Sequence, residues 1–278
     1  MIGVYFSRSI LLFALITNLV GGEVAALSYI LLAGYALLGR AQIIQSLALL
    51  SFFSVLHDGI TLTSPSDSSV LRYIPIIGAT ISLLLRSHAS VARGRISMSL
   101  VVLGTLCLGA FLFIHSMLFS QMTDVSILKS VLWVTVAVIL LAAWGGLSDM
   151  EHDRLKKQLF GGLVLSMLVS LPLLAIPNIG YSTNGNGFQG IFSQPQVFGL
   201  VMATLVACLI GRLTQPVRYR WLDMFLLVLS SLLLIMSEAR TAGFALVLAL
   251  VGTPIIFFVF RGRGRSLLKS LTSICVIF

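Results

Sequence analysis

Apolar residues in this chain fall in long runs, and short polar stretches separate them. A helix that crosses a bilayer needs about 20 residues, with a range of roughly 17–25, and several of the runs are shorter than this. The pattern predicts an all-α protein, a polytopic transmembrane bundle with about ten full spans. The runs lie near 9–22, 24–38, 42–56, 70–85, 96–119, 127–147, 159–176, 195–211, 222–236 and 241–260. An eleventh begins near 267 and stops at Ile274-Cys275-Val276-Ile277-Phe278. A terminal carboxylate is costly in mid-bilayer, so that last run reads as a span cut short. Residues 1–278 then form a single transmembrane domain. Gly21-Gly22-Glu23 predicts a tight hairpin between the first two spans. Pro172 and Pro254 sit inside apolar runs, where neighbouring helices can absorb a kink.

Composition agrees with this pattern. Hydrophobic residues make up 58% of the 278 and charged residues 10%, with a mean hydropathy of +1.06. A soluble domain of this size needs more polar surface. The net charge of +9 does not point to nucleic acid, because the basic residues sit in small clusters between the apolar runs. With the N-terminus in the cytoplasm, alternate loops hold Arg8; Arg40; Arg86, Arg93 and Arg95; Arg154, Lys156 and Lys157; Arg212, Arg218 and Arg220; and Arg261, Arg263, Arg265 and Lys269. The opposite side keeps only Arg72, Lys129 and Arg240 of the 18 basic residues. Such a bias is the positive-inside rule, and a wrong span count would scramble it. The first run follows Arg8 without a small-residue cleavage site and reads as a signal anchor. Cys107, Cys208 and Cys275 are far apart in apolar runs and read as small buried hydrophobes.

Soluble catalytic motifs are missing from the sequence: there is no P-loop, nucleophile elbow, His-Glu-x-x-His or dinucleotide fingerprint. The span centres hold almost no ionisable group, whereas ion-coupled transport generally uses intramembrane carboxylates or histidines. His115 lies toward the outer end of its span, His57 borders an outer loop beside Asp58, and His88 and His152 sit in basic loops. None has a visible catalytic partner. Among the outer basic residues, Lys129 reads as a snorkelling end residue. Arg72 and Arg240 each offer a planar fork that matches phosphate oxygens. On an outer face, the matching ligand is an anionic lipid such as a polyprenyl pyrophosphate. The other reading of Arg240, in Ser237-Glu238-Ala239-Arg240-Thr241, is a structural pair with Glu238 or a neighbouring span. Residues 177–194 form an uncharged outer segment rich in Asn and Gly, with turn signals at Asn184-Gly185 and Asn186-Gly187. Its amides, hydroxyls and aromatic side chain suit a sugar-binding surface and equally any neutral loop.

Two segments carry a resemblance. Gly187-Phe188-Gln189-Gly190-Ile191-Phe192-Ser193-Gln194-Pro195-Gln196-Val197-Phe198-Gly199 runs straight into a span. It is similar to the Gly-Leu-Phe-x-His-Pro-Asn/Gln-x-x-Gly segment of the O-antigen ligase and O-antigen polymerase superfamily. Ser237-Glu238-Ala239-Arg240-Thr241-Ala242 opens a later span and resembles that superfamily's Ser-x-Ser-Arg-x-Ala motif. Gln194 stands where histidine is common and Ala239 where serine is common, which leaves the subfamily open.

The resemblance implies a GT-C-like glycosyltransferase of the bacterial inner membrane; the basic clusters place its N-terminus in the cytoplasm. Its donor would be an undecaprenyl-pyrophosphate-linked glycan, and its acceptor another glycan, lipid A core or a protein. Membrane lipids would surround it; nucleic acid, cofactor and metal are not expected. Arg240 is the first choice for the pyrophosphate and Arg72 the second, with Gln194 and Gln196 as glycan or headgroup contacts. The family's catalytic histidine lies on a large loop, expected beyond Phe278, so the catalytic base is not assigned. The competing expectation is a transporter or flippase of lipid-linked sugars.

Overall fold

The computed structural model describes residues 2–60, 71–91, 100–181, 187–214 and 220–259. Its regular elements among these are helical, with two isolated antiparallel bridges, Leu56–Phe192 and Tyr181–Phe188. In chain order the helices are α1 (Ile2–Val20), α2 (Val24–Ala36), α3 (Arg40–Val55), α4 (Ile74–Val91), α5 (Leu100–Phe119), α6 (Thr123–Gly145), α7 (Asp149–Ser170), the single turn α8 (Pro177–Gly180), α9 (Pro195–Leu213), α10 (Arg220–Met236) and α11 (Arg240–Val259). Each of the ten predicted runs carries a helix; the run near 267 lies outside the described residues. Four segments are long and apolar enough to cross a membrane: Val102–Phe119, Thr123–Gly145, Asp149–Ala175 and Pro195–Leu213. Large apolar side chains point outward along them and along α10, with Phe119 72% and Trp221 86% exposed. Contiguous apolar surface on this scale is unfavourable in water and is what a lipid-facing surface requires.

The chain divides into two compact units, one of residues 1–54 and 61–152, the other of residues 55–60 and 153–278. In the first, α1 packs on α2, α2 and α6 pack on α4, and α5 packs on α6. The hairpin predicted at Gly21-Gly22 is present: both glycines have positive φ (75° and 58°), which side-chain-bearing residues rarely adopt. Small polar residues knit the helices, since lipid supplies no hydrophobic drive between them. Ser46 Oγ donates to the Leu32 carbonyl at 2.8 Å, Tyr35 OH donates to Gln45 Oε1 at 2.6 Å, and Asn18 Nδ2 donates to Ser28 Oγ at 3.4 Å. Arg40 donates to the Gly146 carbonyl at the end of α6, at 2.7 Å.

Two sequence expectations need correction. Residues 149–158 read as a loop but form the first turns of α7. The cause is a capping box at Ser148 and Glu151. The Ser148 backbone N–H donates to the Glu151 carboxylate at 2.9 Å, and the Glu151 N–H donates to Ser148 Oγ at 3.4 Å. Replacing Ser148 with alanine is expected to lower stability by about 1 kcal/mol, measured by unfolding in detergent micelles. Cys107, read as buried, is exposed on α5, while Cys208 is half-buried and Cys275 lies outside the described residues. A lipid-facing helix can leave a small apolar side chain outward at no cost. His115 is likewise on an exposed face of α5, between the rings of Phe111 and Phe119 at 6.2 and 5.2 Å.

In the second unit, α9 packs against both α10 and α11. Arg212 on α9 binds Asp223 on α10 through two hydrogen bonds of 3.2 Å and lies 4.5 Å over the Phe160 ring of α7. Asp223 is 3% exposed, so this bidentate geometry compensates for its burial.

Candidate functional site

The second unit gathers its irregular segments at one end of its helices: the C-terminal ends of α7 and α10, and the N-terminal ends of α9 and α11. Pro172 disfavours α-helix at the residue before it. Accordingly α7 stops at Ser170, a 3-10 turn covers Leu171–Ala175, and α8 starts at Pro177. Pro195 opens α9 as its first residue, a position that needs no backbone donor. Between them residues 187–192 fold inward and are buried, while Ser193 and Gln194 are exposed. Residues 182–186, which hold Asn184-Gly185, lie outside the described residues.

Backbone groups of this inward segment bond to four other parts of the unit. Phe188 N–H donates to the Met236 carbonyl at the end of α10, at 2.8 Å. Gln189 N–H donates to the Gly180 carbonyl at 2.8 Å, and its side-chain amide donates to the Ile179 carbonyl at 3.0 Å. Ile191 N–H donates to Ser170 Oγ at 3.3 Å. Ser193 N–H donates to the Val55 carbonyl at 2.8 Å, while the Ile191 carbonyl accepts from His57 N–H at 2.9 Å. An apolar region excludes water, so each of these partners replaces a bond that would otherwise be lost. Phe188, Phe192 and Phe198 fill the interior beneath, with Phe188 edge-on to Phe198 at 5.1 Å and to Tyr181 at 5.4 Å. Phe188 has no exposed surface. It serves as a core residue here, and no sugar can stack on it.

The two segments that carry the sequence resemblance meet at this end. Besides the Phe188–Met236 bond, Gly187 (φ 80°) lies against the Ser237 carbonyl, so closely that an added Cβ would overlap it. Gly199 on α9 faces the Ala239 methyl with the same closeness, and Ala239 and Ala242 pack with Ala203. Ser237 Oγ donates to the Leu234 carbonyl at 2.6 Å and accepts from Ala239 N–H at 3.4 Å, which shapes the α10–α11 turn.

Of the predicted site residues, Arg240, Gln194 and Gln196 lie at this end of the second unit, and all three are exposed. Arg240 is the first residue of α11. A cation is disfavoured by the helix dipole there, so helix stability does not account for it. Among the described residues its guanidinium has no hydrogen-bond or ion-pair partner; its backbone N–H donates to the Glu238 carbonyl at 2.9 Å. The side-chain pair with Glu238 considered from sequence is not formed. Gln194 caps α9 in extended geometry without a side-chain bond. Arg72 belongs to the first unit, in the 3-10 turn Leu71–Tyr73 before α4, where it bonds Tyr73 OH at 3.2 Å and lies 5.2 Å over that ring. Among the described residues no cluster of three His, Cys, Asp or Glu is placed to hold a metal ion.

Sequence reasoning missed Ser170 and the segment 55–60 as supports of the site. His57 lies within that segment, half-buried, with Nδ1 accepting from Gly59 N–H at 2.9 Å. No local signal could have found these pairings, since their partners are distant along the chain. No protein-family model, curated protein or solved structure matches this chain.

Proposed function

We propose that this chain is a ten-span, GT-C-like protein of the bacterial inner membrane. In this reading it transfers or polymerises glycan from undecaprenyl pyrophosphate on the periplasmic face. One observation carries the reading. The two segments that resemble the O-antigen ligase and polymerase superfamily are distant in sequence, yet they pack on each other and leave Arg240 exposed beside them. In the transfer step an acceptor hydroxyl oxygen bonds to the anomeric carbon. The carbon–oxygen bond to pyrophosphate breaks, and its electron pair stays on the pyrophosphate. The hydroxyl proton passes to a base. The Arg240 guanidinium suits the growing negative charge. Gln194 and Gln196, at the start of α9, are within the same end of the unit and offer amides to the glycan.

Deleting the gene distinguishes this from a flippase. Loss of a transferase is expected to leave lipid-linked glycan accumulating on the periplasmic leaflet, open to an added glycosidase in spheroplasts. Accumulation confined to the cytoplasmic leaflet would instead identify a transporter. Orientation has its own test, in a background with Cys107, Cys208 and Cys275 replaced by serine. An impermeant thiol reagent is expected to label Ser182→Cys and spare Ser90→Cys in intact cells. The reverse pattern would overturn the cytoplasmic N-terminus that the basic clusters support.

A further inference from the structure

Glu238 is the non-glycine residue with a positive φ, 53°, among the described residues. That conformation crowds Cβ against the backbone, and glycine or asparagine adopts it far more readily. The turn is fixed from both sides: Ser237 is buried and bonded to Leu234, Ala239 is buried against Gly199, and Met236 accepts from Phe188. Glu238 therefore holds a strained backbone that a glycine would relieve, while its side chain adds nothing to the packing. The carboxylate is exposed and has no partner among the described residues. It lies two residues before Arg240 on the face where residues 187–194 meet the α10–α11 turn. Strain kept at an exposed polar side chain is characteristic of functional positions.

We propose that the Glu238 carboxylate binds hydroxyl groups of the sugar attached to the pyrophosphate that Arg240 holds. The proposal rests on the glycan-transfer reading. A carboxylate accepts two or more hydroxyl donors at once. In a lipid-linked donor the first sugar is bonded directly to the pyrophosphate, so a group beside the pyrophosphate's arginine meets that sugar first. An acidic side chain ahead of a helix is also favoured by the helix dipole. That purely structural account makes the opposite prediction about stability.

The test uses the full-length protein in lipid nanodiscs, with two probes: undecaprenyl pyrophosphate, and the same lipid carrying one hexose. Glu238→Gly is expected to raise the melting temperature. It should weaken the hexose-bearing lipid about tenfold, the loss of a charged hydrogen bond, and leave the sugar-free lipid within about twofold. Glu238→Gln keeps one accepting oxygen and should lose less. Arg240→Ala should weaken both probes. If Arg240→Ala weakens both while Glu238→Gly binds both as wild type, the Glu238 assignment fails and the transfer reading stands. Equal loss of both probes in Glu238→Gly, or a lowered melting temperature, also overturns the assignment. If Arg240→Ala binds both as wild type, the transfer reading itself falls.

Discussion

If the chain transfers glycan as proposed, Arg240→Ala is expected to lower that transfer by about 100–1000-fold per folded molecule, the usual loss when one donor to a transition-state oxyanion is removed. The expectation follows from where the residue lies. Its guanidinium is exposed, lacks a partner among the described residues, and opens a helix whose dipole does not favour it. A group kept in that place is not there for stability. Arg240→Lys retains the charge but not the planar fork, and is expected to recover only part of the rate. Transfer should be measured in membranes and divided by the amount of folded protein. An interface anchor would behave differently, with less protein but normal turnover per molecule. Wild-type turnover in the alanine variant would return Arg240 to that role.

Gly187→Ala is expected to destabilise the second unit by about 2–5 kcal/mol. Two costs combine. The left-handed backbone at φ 80° penalises a Cβ by about 1–2 kcal/mol. The new methyl also meets the Ser237 carbonyl, and overpacking typically adds about 1–3 kcal/mol. A carbonyl of the α10–α11 turn cannot rotate aside as a flexible side chain can. Gly243→Ala supplies the control, because that helical glycine of α11 has open space around it. There the substitution should be neutral or stabilising by about 0.5–1 kcal/mol. Thermal unfolding of the purified variants in one detergent compares them directly. A Gly187→Ala variant as stable as Gly243→Ala would show that residues 187–194 are not seated on the turn as described.

Apolar run length was enough to place a helix in each of the ten runs, although only four described segments are long and apolar enough to cross a bilayer. The Gly21-Gly22 hairpin was legible because two adjacent glycines between apolar runs readily adopt the positive φ that a tight turn needs. The start of α7 was not, because a run dense in charged residues, 149–157, resembles a loop in composition. The Ser148–Glu151 box was present in the sequence and outweighs them locally. At the site, Arg240, Gln194 and Gln196 were legible as polar side chains at span ends. The inward course of residues 187–192 was hidden. Asn- and Gly-rich composition signals exposure, whereas Phe188, Ile191 and Phe192 gain more from burial. Which carbonyls then receive the buried N–H groups depends on segments far away in the chain. The arrangement of Glu238 was also invisible, since a strained φ leaves no mark on residue type.

The bond from Phe188 to Met236 has a consequence for how the protein is made. During synthesis residues 187–194 leave the ribosome before α10 exists, so their N–H groups have no final acceptor at that moment. Val55 and Ser170 are already in place to receive Ser193 and Ile191, but the Phe188 end must wait at the water interface. It can seat only after α10 has inserted and the turn to α11 has formed. Ribosomes halted when residues 187–194 have emerged but α10 is still inside the exit tunnel should therefore hold chains whose 187–194 segment is open to protease, and ribosomes halted well beyond α11 chains whose segment is closed. Seating of residues 187–194 is thus a late step, completed only once α10 and the turn that leads to Arg240 have formed.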